Sequence, residues 1–302
     1  MSVEDSYRRH SSSWAEEAAD AQIQGASRIW FDEFAIDTWR HARAYEAVNY
    51  LGEMGGAWLT VGDGRFGLDA QRLQKRGIRS VLPTDICEDL LKAAKDSGYI
   101  ADYRIENGED LSFPDNSFDF VFIKEAFHHF PRPPIALFEM LRVARKGVIL
   151  VEPHDRVRSP LRMLLISLRS LIRGRRIHPD SAMYEEKDKN YVYSVSVREM
   201  EKASIALNLP LLAYKTYTDI YDPRVNGFRV GDFQYYILRG RIFFREILSK
   251  LGIDKNSMIQ IMLLKSNLPA STRSAMKKAN WTIIDLPTNP YASAPNTPPS
   301  SA

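Results

Sequence analysis

Between residues 57 and 153 short apolar runs alternate with amphipathic segments, and this rhythm predicts most of the fold. AWLTV (57–61) is apolar and β-prone, which predicts a buried strand. LDAQRLQKRG (68–77) predicts a helix closed by Gly77 as its C-cap. RSVLPTD (79–85) predicts a second strand, weakened near its end by Pro83. CEDLLKAAKDSG (87–98) has helical spacing, ADYRIEN (101–107) suits a third strand, and FDFVFIKEAF (118–127) a fourth. PPIALFEMLRVAR (133–145) is an amphipathic helix with proline at its start, and GVILVEP (147–153) is a fifth strand. Such alternation specifies a parallel sheet with helices on both faces, and ligands then sit beyond the C-terminal ends of the strands.

Outside this stretch the rhythm is looser. Residues 1–28 are polar, with no expectation of firm order. Residues 30–51 carry a helical pattern with Trp30, Phe31, Phe34, Ile36, Trp39, Tyr45, Val48 and Leu51, ended by Gly52, Gly55 and Gly56. PLRMLLISLRSLIRGRR (160–176) predicts a basic amphipathic helix. YVYSVS (191–196) alternates like a short strand, and 197–207 is helical. Strong strands follow at 210–218 and 257–265, separated by a segment rich in aromatics and arginine. The composition of 286–302, rich in Pro, Ser, Ala and Asn, predicts disorder.

Composition narrows the function classes. The net charge of +3 over 302 residues gives no argument for a nucleic-acid partner. The single cysteine, Cys87, excludes an intramolecular disulfide and fits a reducing compartment. The first residues lack the apolar centre of a signal peptide, and no apolar run reaches the roughly 18 residues of a spanning helix. The expectation is a cytoplasmic protein. Seven arginines over 156–176 against Asp155 leave three uses for that helix: peripheral membrane contact, recognition of an acidic acceptor, or a solvated basic face.

The candidate chemistry starts at Gly62, Gly64 and Gly67, between a strand and a helix. Without Cβ atoms the backbone there can turn tightly and approach a ligand. A phosphate loop of the Walker type would need a lysine after Gly67, where Leu68, Asp69 and Ala70 stand, so that reading fails. A dinucleotide and an adenosine both remain. Either would use Asp85, about 20 residues on, to accept two hydrogen bonds from a ribose diol. A tight turn and a helix-capping Asp85 are the structural alternatives.

The segment that follows separates these readings. Asn107-Gly108-Glu109-Asp110-Leu111-Ser112-Phe113, then Ser117-Phe118-Asp119, His128-His129 and Glu139-Met140-Leu141-Arg142-Val143 resemble a motif series of the class I S-adenosylmethionine-dependent methyltransferases. With LTVGDGRFG and PTDICEDLLKAA the resemblance covers about residues 57–153. It implies a Rossmann-like, doubly wound, mainly parallel sheet, with a C-terminal antiparallel hairpin from the strands at 210–218 and 257–265 and a helical acceptor-side insertion. The expected organisation is an N-terminal helical lid region (1–56), an S-adenosylmethionine-binding core (57–153), a helical cap (154–209), a C-terminal part of the fold with an inserted segment (210–268) and a partly disordered tail (269–302). By position, Gly62 and Gly64 would pass beneath the methionine half of S-adenosylmethionine, and Asp85 would hold the ribose. Asn107, Gly108 and Glu109 would edge the adenine, and Lys124 would lie near the transferred methyl group. Thr60 stands where the family usually has an acid, and Phe66 where it has a glycine, a role that Gly67 can take over.

Methyl transfer to a hydroxyl benefits from a general base, and histidine titrates in the useful range. His128 and His129 are the catalytic candidates; Lys124, Glu125, Glu152 and His154 also stand at strand ends. A packing or capping role for one histidine, and an ordinary strand-exit turn at Glu152–His154, are the plainer readings. No cluster has metal-site spacing. Arg40, His41 and Arg43 are candidates to reach the pocket from the N-terminal helix. The style of the sequence resembles bacterial methyltransferases of surface-polysaccharide and secondary-metabolite clusters, which implies O-methylation of a sugar or glycolipid-like acceptor. A quinone, lipid or small natural product as acceptor, and a non-catalytic adenosine-binding scaffold, are the alternatives.

Overall fold

The computed structural model describes residues 3–19, 29, 31–54, 56–155, 183–185, 191–225 and 227–292. The sequence-predicted helix at 160–176, Trp30 and residues 293–302 lie outside these. The strands β1 (Ala57–Val61), β2 (Ser80–Asp85), β3 (Arg104–Ile105), β4 (Phe118–Lys124), β5 (Ala144–Pro153), β8 (Leu211–Tyr217), β9 (Met258–Leu264) and β10 (Thr282–Asp285) form one sheet. Its order is β10-β8-β9-β5-β4-β1-β2-β3. The ladders from β3 to β5 are parallel, and those joining β5, β9, β8 and β10 are antiparallel. A separate pair, β6 (Met183–Glu185) and β7 (Tyr191–Tyr193), stands apart from it.

The helices that flank the parallel half are α4 (Leu68–Lys75), α5 (Asp89–Asp96) and α6 (Pro133–Val143). Along β4, Phe120 and Phe122 enter one core layer with Trp58, Tyr45 and Leu51, while Val121 and Ile123 enter the other with Leu137, Met140 and Leu150. A strand covered on both faces must be apolar at every position, which is why FVFI is a continuous run rather than an alternation. Pro83 fits within β2 because β3 joins only from Thr84, so the missing N–H lies where β2 still has an open side.

Several expectations shift. β3 is two residues long rather than 101–107, because Asn107 leaves the sheet for a turn bridged to Asp110. β4 ends at Lys124, before Glu125 adopts a φ of 50°. α6 passes directly into β5 at Ala144, since Arg145 and Lys146 are already held by Asp119 on β4. The polar N-terminus is helical as α1 (Val3–Ala19). The pattern over 30–51 is broken into α2 (Ile36–His41), a tight turn over 42–45 and α3 (Val48–Leu51). α7 (Val197–Ala206), capped by Ser196 accepting from the Glu199 amide, agrees with the pattern.

β8 and β9 pair antiparallel, but no short turn joins them. The aromatic and arginine-rich segment between them contains α8 (Phe233–Lys250). The region from 269 onward, expected as a tail, contributes α9 (Ala270–Lys278) and β10, which pairs with β8.

Asp119 fastens the parallel half at its base. One carboxylate oxygen accepts from the Gly56 and Ala57 amides at 2.7 and 3.1 Å, and the other from the Arg145 guanidinium at 2.8 Å. Burial opposes its charge, but these donors hold its pKa down at about 2. Asp119→Ala should lower the unfolding free energy by about 2 kcal/mol, the usual cost of orphaning such donors, in urea denaturation at neutral pH. The depressed pKa makes this contribution full above the ordinary carboxylate range and lost as pH falls through about 2. The gap between wild type and variant should therefore close in strong acid.

Candidate active site

The strand order reverses between β1 and β4, and a cavity of about 750 Å³ opens at the C-terminal ends of these strands. The sequence-predicted residues Gly62, Gly64, Asp85, Asn107, Gly108, Lys124, His128 and His129 all line it. Glu109 does not. Its carboxylate accepts from the Arg132 amide at 2.6 Å, the Arg132 side chain at 2.7 Å and Tyr7 of α1 at 3.0 Å. The neighbouring Glu106 lines the cavity in its place. The Asn107 amide oxygen accepts from the Glu109 N–H at 3.0 Å, so it first serves its own turn.

The glycine loop is shaped by what surrounds it. A Cβ on Gly64 would lie 2.6 Å from the Asp85 carboxyl carbon, so only glycine lets loop and carboxylate meet. Gly62 has φ 72°, and a Cβ there would lie 2.4 Å from the Ala126 Cβ. Phe66 takes a φ of 60°, a left-handed conformation that disfavours any residue with a Cβ. Its ring is buried with Leu91, Ala94 and Ile100, which offsets the strain. Gly67 has the same φ, and its missing Cβ leaves room for Ile100. Thr60 donates to Asp63 at 2.8 Å, and Asp63 accepts from the Asp69 and Ala70 amides at the start of α4. The loop thus carries a buried acid three residues past Thr60.

Asp85 faces the cavity with Cys87 N–H donating at 2.8 Å. Burial outweighs the backbone donors from Cys87, Gly64 and Ile86 and raises its pKa to about 6. A carboxylate short of donors in a dry setting is suited to a vicinal diol. The cleared glycine backbone and this donor-poor carboxylate fit an adenosine cofactor.

Residues 59–151 match a family described as a methyltransferase domain. This segment is a methyltransferase domain, and S-adenosylmethionine is the cofactor that such a domain implies. The chain is similar to an S-adenosylmethionine-dependent methyltransferase from Mesorhizobium loti, with 16% identity, 76% of this chain and 100% of that one covered, and a TM-score of 0.50. A protein from Thermotoga maritima, titled a possible histamine N-methyltransferase, is 16% identical over 79% of this chain and 99% of its own, with a TM-score of 0.41. YcgJ of Bacillus subtilis is 18% identical over 75% and 100%, with a TM-score of 0.46. Likeness at this identity speaks to the fold. No curated protein matches the chain.

The far end of the methyltransferase cavity is lined by Asp37, Arg40 and His41 of α2, by Asp219 and Tyr221 after β8, and by Ser257 and Met258 at the start of β9. Arg40 bonds Asp37 at 2.7 Å and also pairs with Asp219. Lys124 meets Glu125 at 2.5 Å. Burial works against Glu125, but Lys124 and His41 hold its pKa well below the carboxylate range. Burial likewise raises Asp219 to about 6 despite Arg40, and the Asp219 Oδ1 is buried with no hydrogen-bond partner among the described residues. Arg43, a candidate beside Arg40 and His41, turns away to Glu246 and the Tyr217 ring.

The two histidines differ. His128 Nδ1 lies 2.5 Å from Glu152 Oε2, and both side chains are buried. Glu152 Oε1 also accepts from the Ala126 and Phe127 amides at 3.2 and 3.0 Å. Glu152 therefore fixes the whole turn after β4, more than an ordinary strand exit does. His129 packs against His128 with ring centres 3.9 Å apart. Burial, then the neighbouring His128, lowers its pKa to about 3. His154 does not line the cavity; its Nδ1 is 3.3 Å from the Asn256 carbonyl oxygen.

Asp219 and Tyr221 were missed by sequence reasoning because they come from a connection with no periodic or motif signal, and only their position past the strand predicted at 210–218 could have suggested them. Asp37 and Ser257 lie within a predicted helix and a predicted strand, where nothing local marks them as facing the cavity. Gly62→Ala should destabilise the methyltransferase by about 3 kcal/mol, from a left-handed φ and a clash against Ala126 together, measured by chemical denaturation. Gly77→Ala, with a similar φ but open space, should cost less than half of that.

Proposed function

We propose that the methyltransferase O-methylates a hydroxyl of a sugar or glycolipid-like acceptor, with His128 as general base. The observation that carries this reading is His128 on the cavity wall, paired behind it with the buried Glu152. When bound, S-adenosylmethionine supplies a methyl group activated by its sulfonium sulfur. Asp85 would hold the ribose hydroxyls, the backbone at Gly62 and Gly64 would make room for the methionine half, and Asn107 and Gly108 would border the adenine. Lys124 stands on the wall between the two ends of the cavity.

Glu152 accepts a hydrogen bond from the Nδ1–H of His128, which leaves the basic lone pair on Nε2. As the acceptor oxygen gains the methyl carbon, its proton passes to Nε2, and Glu152 stabilises the resulting imidazolium. His129 suits this task poorly, since a nitrogen with a pKa of about 3 is a weak base at neutral pH. It packs beside His128 and restricts that ring.

The acceptor end supports a polyhydroxylated ligand. Asp219 offers the unpartnered Oδ1, Arg40 and Asp37 give fixed polar partners, and Tyr221 provides an aromatic edge at the mouth. A flat apolar quinone would leave the Asp219 Oδ1 without a donor.

His128→Ala should lower turnover by about 10²-fold or more while S-adenosylhomocysteine affinity, measured by calorimetry, stays at the wild-type value. His129→Ala should fall well short of that loss. Wild-type turnover in His128→Ala would remove the base assignment. Incubation with extracts and methyl-labelled cofactor, followed by mass analysis of the labelled product, tests the acceptor class; a labelled amine or thiol would replace the O-methyl reading.

Asp85→Ala should weaken S-adenosylhomocysteine binding by about tenfold or more, since it leaves the ribose hydroxyls unpaired. Asp85 is protonated below a pKa of about 6 in the free protein, and the diol favours its ionised form. Binding must then expel a proton in acid. Affinity should be flat above neutrality and decline toward roughly tenfold per pH unit below about 6. Asp85→Asn should lose this slope.

A further inference from the structure

α8 is apolar on two sides. One stripe, Tyr235, Leu238 and Ile242, is buried against Ile36, Ile220 and Trp39. On the opposite side Phe233, Tyr236, Ile237, Phe243, Phe244, Ile247 and Leu251 recur at helical spacing and face outward. Phe233 is 74% exposed, Phe243 64%, Phe244 60% and Leu251 67%. Such a stripe, five turns long and rich in aromatics, is unusual on a surface that faces only water.

Its borders are cationic. Arg239 and Lys250 flank one edge, Arg241 and Arg245 the other, and Glu246 is the only acid of the helix. Glu246 is engaged by Arg43 at 2.6 Å on the inward side, and Arg241 is balanced by Asp222 at 2.6 Å. Two-fold pairing of this face with a second copy would set arginines and lysine against their own kind with no carboxylate between them. Anionic lipid headgroups complement this border, and the stripe matches the apolar layer beneath them.

The position of α8 connects this surface with the cavity. Its buried stripe rests on the two segments that supply Asp37 and Arg40 on one side and Asp219 and Tyr221 on the other. Tyr221 both lines the cavity and is 65% exposed, so it marks the mouth beside the helix. Phe34, Phe228 and Val230 extend the exposed apolar surface there, joined by the Val230 amide donating to the Phe34 carbonyl at 2.7 Å.

We infer that α8 seats the protein on an anionic bilayer, its outward stripe in the interface, with the mouth of the cavity held at the lipid surface. The inference rests on the helix and its neighbours and is independent of which atom is methylated.

Co-sedimentation of the full chain with vesicles tests it. Vesicles of phosphatidylcholine mixed with phosphatidylglycerol should carry down wild type, and phosphatidylcholine alone much less. Phe243→Ser with Phe244→Ser should weaken binding by about tenfold, and Arg239→Glu with Arg245→Glu should abolish the preference for anionic vesicles. Unchanged S-adenosylhomocysteine affinity and melting temperature in both variants would show that they are folded. That arm reports on the methyltransferase reading separately from docking. The proposal is overturned if wild type sediments with neither vesicle, or if the double serine variant binds as wild type does. It is also overturned if ultracentrifugation finds a dimer that the serine variant dissolves, since the stripe would then be a contact between copies.

Discussion

The carboxylate of Glu152 organises the turn that follows β4 at the edge of the cavity. It is wholly buried at the close of β5, where an unpaired charge would be too costly to keep. It is satisfied by three donors from one short turn: two backbone amides, at Ala126 and Phe127, and the Nδ1 of His128. The turn is thereby fixed to the neighbouring strand, although its first residue, Glu125, must accept a φ of 50°. Glycine at position 62 yields the space that Ala126 then occupies. The floor of the cavity follows from one buried carboxylate and the turn that answers it.

The two ends of the cavity solve different electrostatic problems. At one end the half-buried Asp85 has backbone donors alone, and desolvation raises its pKa to about 6. At the other end charges come paired, Arg40 with Asp37 and Asp219, Lys124 with Glu125. Pairing lets ionised groups stay in a place that water enters poorly, at the expense of mobility. It leaves one oxygen of Asp219 without a hydrogen-bond partner among the described residues.

The parallel half of the sheet was legible from residue pattern, because strands covered on both faces must be apolar throughout and strand exits carry glycine or acid for local reasons. Asp85 and the glycines stood out because they are local to one strand–turn–helix unit. Glu109 did not hold its expected place, since Arg132 and Tyr7, distant in sequence, claim its oxygens. The helical nature of 3–19 and of 233–250 was not evident. The first is polar, and the second has apolar residues on two sides, which blurs the period that a one-sided helix would show. β10 was hidden behind a low-complexity terminus.

The sequence by itself determined the fold of the core and the cofactor class, because the residues that carry them are local to single strand–loop–helix units. Only the tertiary structure set His128 and His129 apart. The difference comes from Glu152, a residue on another strand, and from burial, which no spacing encodes. The far end of the cavity was likewise a tertiary matter. It is assembled from α2, the exit of β8 and the entry of β9, segments that meet only because the antiparallel strands fold back beside β5.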